Sequence, residues 1–207
     1  MAAAAKSPAW GGVPELITVD EAAALLKTGR PVIFPTDTVC GLGLCPAFAA
    51  SPAELFALKG RDEGKPVAWL VSGADALDEW GSAVPDWARR LARSHWPGAL
   101  TLVVRAAPRV PAPFASAAGT IGLRMPASPT VLALMEALGA PLATTSANLS
   151  GASAVACVNE VDRTLTARVP VVAPLAGERP APGAAASTVV DCTGAAPVVL
   201  RQGPVQL

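Results

Sequence analysis

A chain of 207 residues suits one domain with a sizeable core or two small ones, and no linker-like stretch interrupts its middle. Sixteen basic and sixteen acidic residues cancel, which argues against coating nucleic acid by bulk charge but leaves room for a local basic pocket. Aromatics make up only 4% and Tyr is absent, so a stacking platform for single-stranded nucleic acid is disfavoured.

In chain order, Thr18 begins a T-V-D-E capping box with Glu21, predicting a helix over 19–28 that stops at Gly29. PVIFP (31–35) reads as a short buried strand. TDTVCGLG (36–43) then reads as a loop in which Gly41 and Gly43 permit close backbone approach. Ser51-Pro52 signals a helix start, and that helix is expected to end near Lys59-Gly60. PVAWLV (66–71) is a second strand. Residues 74–80 and 85–94 look helical, broken at Pro85, and Trp96-Pro97-Gly98 makes a turn. LTLVVR (100–105) and TIGLRM (120–125) are strands, separated by a loop with Pro108, Pro111 and Pro113. Ser128-Pro129 repeats the cap-plus-proline signal and opens a helix to about Leu138. PLATT (141–145) is a strand leading into the loop SANLSG. A weak helix over 159–167 follows, then strands at 169–173, 187–192 and 197–201, with a mobile Gly/Pro/Ala-rich stretch at 176–186. Strands and helices alternate, so the expected fold class is α/β: a twisted mixed, largely parallel sheet flanked by helices. Ligands of such sheets bind in loops at strand ends.

The polar clusters fall at those ends. Lys59, Arg61 and Lys65 place three cations near a helix terminus, where they can neutralise phosphate or carboxylate charge. Taken alone they read more readily as a solvated helix end. Gly60 to Lys65 is one residue too short for a P-loop, and Pro66 replaces its Ser/Thr. Ser146 and Asn148 follow an apolar strand and suit phosphate or ribose, although an ordinary capped turn has the same residues. Arg124 ends a strand and could grip a carboxylate bidentately, or make a structural salt bridge. Ser187 precedes a strand and Arg201 closes another.

Other chemistries find less support. Cys40, Cys45, Cys157 and Cys192 lack metal-ligand spacing and read as reduced, partly buried thiols. His95 is the only histidine and reads as a packing or surface residue, and no G-x-S-x-G is present. Residues 137–159 carry no charge but are too polar to span a membrane. The first ten residues read either as a tail or as a targeting segment, organellar targeting included.

Together PTDTVCGLG (35–43), LKGRDEGKP (58–66), HWPGALTLV (95–103), GLRMP (122–126), PLATTSANLSG (141–151), STVVD (187–191) and LRQGP (200–204) resemble the YrdC-type threonylcarbamoyl-adenylate synthase family, in the family's order. The resemblance implies a flexible tail over 1–12 and a YrdC-like catalytic domain over 13–207, without the extra C-terminal domain of longer members. It implies a nucleotidyltransferase, located in the cytoplasm, that joins L-threonine, bicarbonate and ATP with Mg2+ into threonylcarbamoyl-AMP and pyrophosphate. A separate transferase would then modify tRNA to N6-threonylcarbamoyladenosine. By the same resemblance Lys59 and Arg61 are the catalytic clamp. Lys59, Arg61, Ser146, Asn148 and Arg201 face the nucleotide, and Thr36, Thr38, Lys65, Arg124 and Ser187 face threonine. No metal ligand is implied among protein side chains. Cys40 stands where the family usually has Tyr, Ala99 where Pro is commoner, Leu70 where some members place His, and Ala186 where many have Glu. Two other readings remain open: an RNA- or ribosome-binding module using the same basic cavity, and a carbamoyl-adenylate-forming domain acting with a separate transferase.

Overall fold

A computed structural model describes residues 16–62, 64–179 and 185–207, so the tail expected over 1–12 lies outside the described residues. The capping box forms as predicted. Thr18 Oγ1 accepts from Glu21 N, and the Glu21 carboxylate accepts from Thr18 N at 2.8 Å, opening helix α1 (Val19–Leu26). Its carboxyl pKa falls because the Thr18 backbone and hydroxyl both donate to it. Strand β1 (Leu16–Ile17) precedes it, and β2 (Val32–Phe34) follows.

The stretch predicted as a loop after β2 is half strand. Gly41–Leu44 forms β3, antiparallel to β2. The glycines are there for space rather than for flexibility. A Cβ on Gly41 would stand 2.4 Å from the Phe34 ring, and one on Gly43 would stand 3.0 Å from the Ala143 carbonyl.

The remaining elements are α2 (Ala53–Lys59), β4 (Ala68–Leu70), α3 (Ala76–Trp80), β5 (Gly81–Ser82) and α4 (Asp86–His95). They continue with β6 (Leu100–Ala106), β7 (Thr120–Arg124), α5 (Pro129–Leu138), β8 (Leu142–Ser146) and α6 (Arg163–Thr166). The chain closes with β9 (Val171–Val172), β10 (Thr188–Asp191) and β11 (Val198–Arg201). The weak helix expected over 159–167 divides into a 3-10 turn at Val158–Glu160 and α6, which Asp162 caps. Helix α5 starts where Ser128-Pro129 predicts. Ser128 Oγ accepts from Val131 N, and Gly139 closes the helix at φ 65°.

The described strands form one mixed sheet in the order β1-β9-β2-β3-β8-β4-β7-β6-β10-β11, with β5 paired to β6. Pairing is parallel for β1–β9, β9–β2, β4–β7 and β6–β10, and antiparallel for the others. Helices flank it: α1 packs on α5, α4 on β6 and α2 on β3. Along β6 and β7 the side chains alternate in burial and chemistry. Leu100, Leu102, Val104, Ile121 and Leu123 are all at most 2% exposed and build the core. The alternate positions Thr101, Val103, Thr120, Gly122 and Arg124 line a cavity. Trp69 anchors the core beside them, edge-on to Trp80 at 5.0 Å and to Phe114 at 5.9 Å between ring centroids.

Candidate active site

The cavity has a volume of about 690 Å³ and lies over the sheet rather than only at its strand ends. Its floor is the face just described on β6 and β7, continued by Ala68 and Leu70 of β4, Thr144 and Ser146 of β8, and Val189 of β10. Gly122 keeps the floor low, since a Cβ there would meet the Thr101 methyl at 3.3 Å. Arg61, Arg124 and Arg201 line the cavity, and no carboxylate does among the described residues.

At one end, α2 terminates in Gly60 at φ 59°, a left-handed position that turns Arg61 toward the cavity. Arg61 Nη1 donates to Thr145 Oγ1 at 2.5 Å and Nη2 to the Pro66 carbonyl at 3.3 Å, while its buried Nε has no partner among the described residues. Lys59 is 3% exposed and lies behind the lining. Its ammonium donates to the Ser146 carbonyl and to Asn148 Oδ1 at 3.2 Å, and Ser150 N donates back to the Lys59 carbonyl at 2.9 Å. Asn148 Nδ2 donates to the carbonyls of Leu149 at 2.9 Å and Ala152 at 2.7 Å. The SANLSG loop is therefore pinned from within by one amide and from below by one lysine. Burial, reinforced by the nearby Arg61 charge, brings the Lys59 pKa down to about 8. Burial alone lowers that of Arg61.

At the other end, the turn after α4 shapes the seat of Arg124. The Trp96-Pro97 peptide is cis, and Trp96 Nε1 donates to the Leu100 carbonyl at 2.7 Å. The Gly98 carbonyl then accepts from Arg124 Nε at 2.9 Å. Arg124 Nη1 donates to Thr38 Oγ1 at 2.8 Å and Nη2 to Asp37 Oδ1 at 2.5 Å. Thr36 Oγ1 gives its proton to the Val39 carbonyl at 2.7 Å, so Thr38 is the donor in the 3.0 Å contact between the two hydroxyls. One polarised chain thus runs from Arg124 through Thr38 and Thr36 to the backbone. Burial pulls the Arg124 pKa down most, Asp37 pushes it back up, and the neighbouring Arg201 charge lowers it further. Arg201 donates twice to the Ser187 carbonyl, at 3.0 and 2.9 Å, and once to Ser187 Oγ at 3.2 Å. Ser187 Oγ also contacts Thr101 Oγ1 at 2.8 Å.

Nine of the ten residues expected at the site therefore line this cavity or bond directly to its lining. Lys65 does neither. It is exposed at the end of a turn whose backbone bond runs to Asp62, where water solvates its charge. Arg201 sits with Ser187 and Arg124, on β11 next to β10. Strands β4, β7 and β6 separate β10 from β8, which carries Ser146 and Thr145.

Residues that motif reading missed are Asp37, Ser116, Thr101, Thr120 and Thr144. The signal for Thr101 and Thr120 was present as period-two alternation in LTLVV and TIGLR. Cys40 lines the cavity as a thiol donating to the Ala156 carbonyl at 3.3 Å, and burial pushes its pKa up to about 12. The described cysteines are free, and no group of three or more potential metal-ligating side chains occurs among the described residues. His95 does not line the cavity. None of the helices in the described residues is long and apolar enough to cross a membrane.

Comparison with known proteins places this geometry. The Sua5/YciO/YrdC family model, described as "Telomere recombination", matches residues 24–203. A protein of Mycobacterium tuberculosis (strain ATCC 25618 / H37Rv) is 40% identical over 184 residues, covering 89% of this chain and 83% of that one. A threonylcarbamoyl-AMP synthase of Halorhodospira halophila is 37% identical over 79% of this chain and 87% of its own length. Among solved structures, Pyrococcus abyssi Sua5 complexed with L-threonine superposes with a TM-score of 0.80 at 31% identity, over 89% of this chain and 54% of that one. E. coli YciO superposes with a TM-score of 0.78 at 26% identity, over 91% and 90%. The chain belongs to the Sua5/YciO/YrdC family.

Proposed function

We propose that the protein is an L-threonylcarbamoyladenylate synthase, a nucleotidyltransferase that makes threonylcarbamoyl-AMP and pyrophosphate from L-threonine, bicarbonate and ATP. The observation that carries this reading is a cavity lined, among the described residues, by three arginines and no carboxylate, in a chain with relatives named threonylcarbamoyl-AMP synthase.

The chemistry matches that charge pattern. The threonine amine attacks the carbon of CO2 and releases a proton, giving a carbamate; from bicarbonate the amine proton leaves instead with the displaced hydroxide, as water. A carbamate oxygen then bonds to the ATP α-phosphorus as the bond to the β-phosphate oxygen breaks, and pyrophosphate departs with that electron pair. An anion attacks a polyanion, so fixed cations must offset the repulsion, and holding the two in line supplies much of the rate. Arg61 and the Lys59-braced loop carrying Ser146 and Asn148 form the nucleotide end. Arg124, Thr36, Thr38 and Ser187 form the amino-acid end. Arg201 bonds Ser187 and so stands where the nucleotide reaches the amino acid. Magnesium would come with ATP and be held by the nucleotide, since the described lining residues supply hydroxyls and cations and no carboxylate. The product then serves a separate transferase acting on tRNA.

The test is pyrophosphate release from ATP, magnesium and bicarbonate with and without L-threonine. Threonine-dependent release is expected. Release independent of threonine, or none, sinks the reading.

A further inference from the structure

Arg124 carries five N–H bonds, and three are spent inside the protein: Nε on Gly98, Nη1 on Thr38 and Nη2 on Asp37. One hydrogen remains on each terminal nitrogen. That pair is the fork that can make two parallel bonds to a planar carboxylate. Which way the fork points depends on what holds the guanidinium. Gly98 fixes only Nε, the pivot end. Thr38 is a neutral hydroxyl already engaged with Thr36. Among the described residues Asp37 is its only charged partner, at 2.5 Å, with 7% of the arginine side chain and 15% of the aspartate side chain exposed. Thr36, Thr38 and Arg124 line the cavity and Asp37 does not, so its carboxylate backs the arginine from within the wall.

We propose that Asp37 is the positioning residue of the amino-acid end: it locks the Arg124 guanidinium so that its two unspent N–H bonds face the substrate α-carboxylate. This rests on the synthase reading above. Asp37 touches no substrate and acts only through Arg124. The role requires an acceptor oxygen of the right reach at position 37, whereas a bulk electrostatic role would require the negative charge itself. The T-D-T spacing provides this arrangement. Thr36 and Thr38 carry the hydroxyl chain along the cavity lining, and Asp37 between them, outside that lining, reaches the same guanidinium through Nη2.

The experiment compares wild type, Asp37→Ala and Asp37→Asn in threonine-dependent pyrophosphate release, with thermal melting as a check on folding. Asp37→Ala is expected to raise the threonine KM about 10-fold while the ATP KM stays within about 2-fold, the size expected when one charge-assisted bond that orients a clamp is lost. Asp37→Asn retains an acceptor oxygen at the same reach and is expected to restore the threonine KM to within about 3-fold of wild type. If Asp37→Ala does not fold, Asp37→Ser, whose hydroxyl is too short to reach Nη2, replaces it with the same expectation. A wild-type threonine KM in the truncated variant, an equal rise in both KM values, or an asparagine variant as impaired as alanine overturns the proposal. Absence of threonine-dependent release in the wild type instead overturns the synthase reading, and this proposal with it.

Discussion

Gly203 is the position where one methyl group tests the architecture of the site. It lies in the LRQGP segment after β11, and no left-handed φ demands glycine there. What demands it is space. A Cβ would stand 2.3 Å from the Ala186 carbonyl oxygen, 2.4 Å from Thr188 N and 2.6 Å from Ser187 C. All three are backbone atoms and cannot swing aside, so relief requires the 186–188 segment to shift by roughly 1 Å, the overlap with ordinary van der Waals contact. Two anchors are lost in the shift. Gly203 N donates to Thr188 Oγ1 at 3.0 Å, and the Ser187 carbonyl holds Arg201. Overpacking of this kind costs about 1–3 kcal/mol. In a domain of this size each kcal/mol lowers the melting temperature by about 2–4 °C. Gly203→Ala is therefore expected to melt about 2–12 °C lower, with kcat/KM for pyrophosphate release reduced about 10-fold or more because Ser187 and Arg201 move together. Gly73→Ala is the control, since nothing lies within 4 Å of its Cβ position and its φ is ordinary. Melting and turnover of Gly203→Ala that match those of Gly73→Ala would refute the close-packing argument.

Arg124→Ala is expected to raise the threonine KM about 10–100-fold with the ATP KM within about 3-fold, and Arg124→Lys to recover little because the fork is lost; equal effects on both substrates would contradict the carboxylate role. Lys59, with its pKa near 8, discharges as pH rises through that value, so the ATP KM should climb between about pH 7 and pH 9, and a flat profile would remove Lys59 from nucleotide binding. The sign for stability is opposite: between about 8 and the usual 10.5 the unfolded chain holds the proton that the folded chain has shed, so this group's contribution grows with pH. Urea titrations of wild type against Lys59→Met, at both ends of that window, measure it. Glu178 accepts from Ser128 Oγ at 2.5 Å and Thr130 N at 3.1 Å at the start of α5, so Glu178→Ala should cost about 1–2 kcal/mol and lower the melting temperature by a few degrees. An unchanged melt would show that this contact bears no weight.

Helix termini were legible because their signals are local. Thr18 with Glu21, Ser128 with Pro129, and Gly60 and Gly139 in left-handed closing positions each act within one turn of their own helix. Strands with a clear apolar run, such as β6 and β7, were legible for the same reason. β1 and β9 are two residues each and exist because they pair with one another across the chain, Leu16 opposite Val171. β3 was hidden because GLGL looks like punctuation until the Phe34 ring is in place against it.

The site divides in the same way. By itself, the sequence determined that cations and hydroxyls fall where strands end, since residue type and its offset from an apolar run are local properties. Only the tertiary structure decided what each does. It folded Lys59 under the Ser146 loop, turned Arg61 into the wall and left Lys65 in water, although the three lie within seven residues. It brought Asp37 to Arg124 and Ser187 to Thr101, pairs separated by 87 and 86 positions. Such contacts depend on how β-strands stack in a sheet, and that order is fixed by long-range burial and pairing, which no short window of sequence contains.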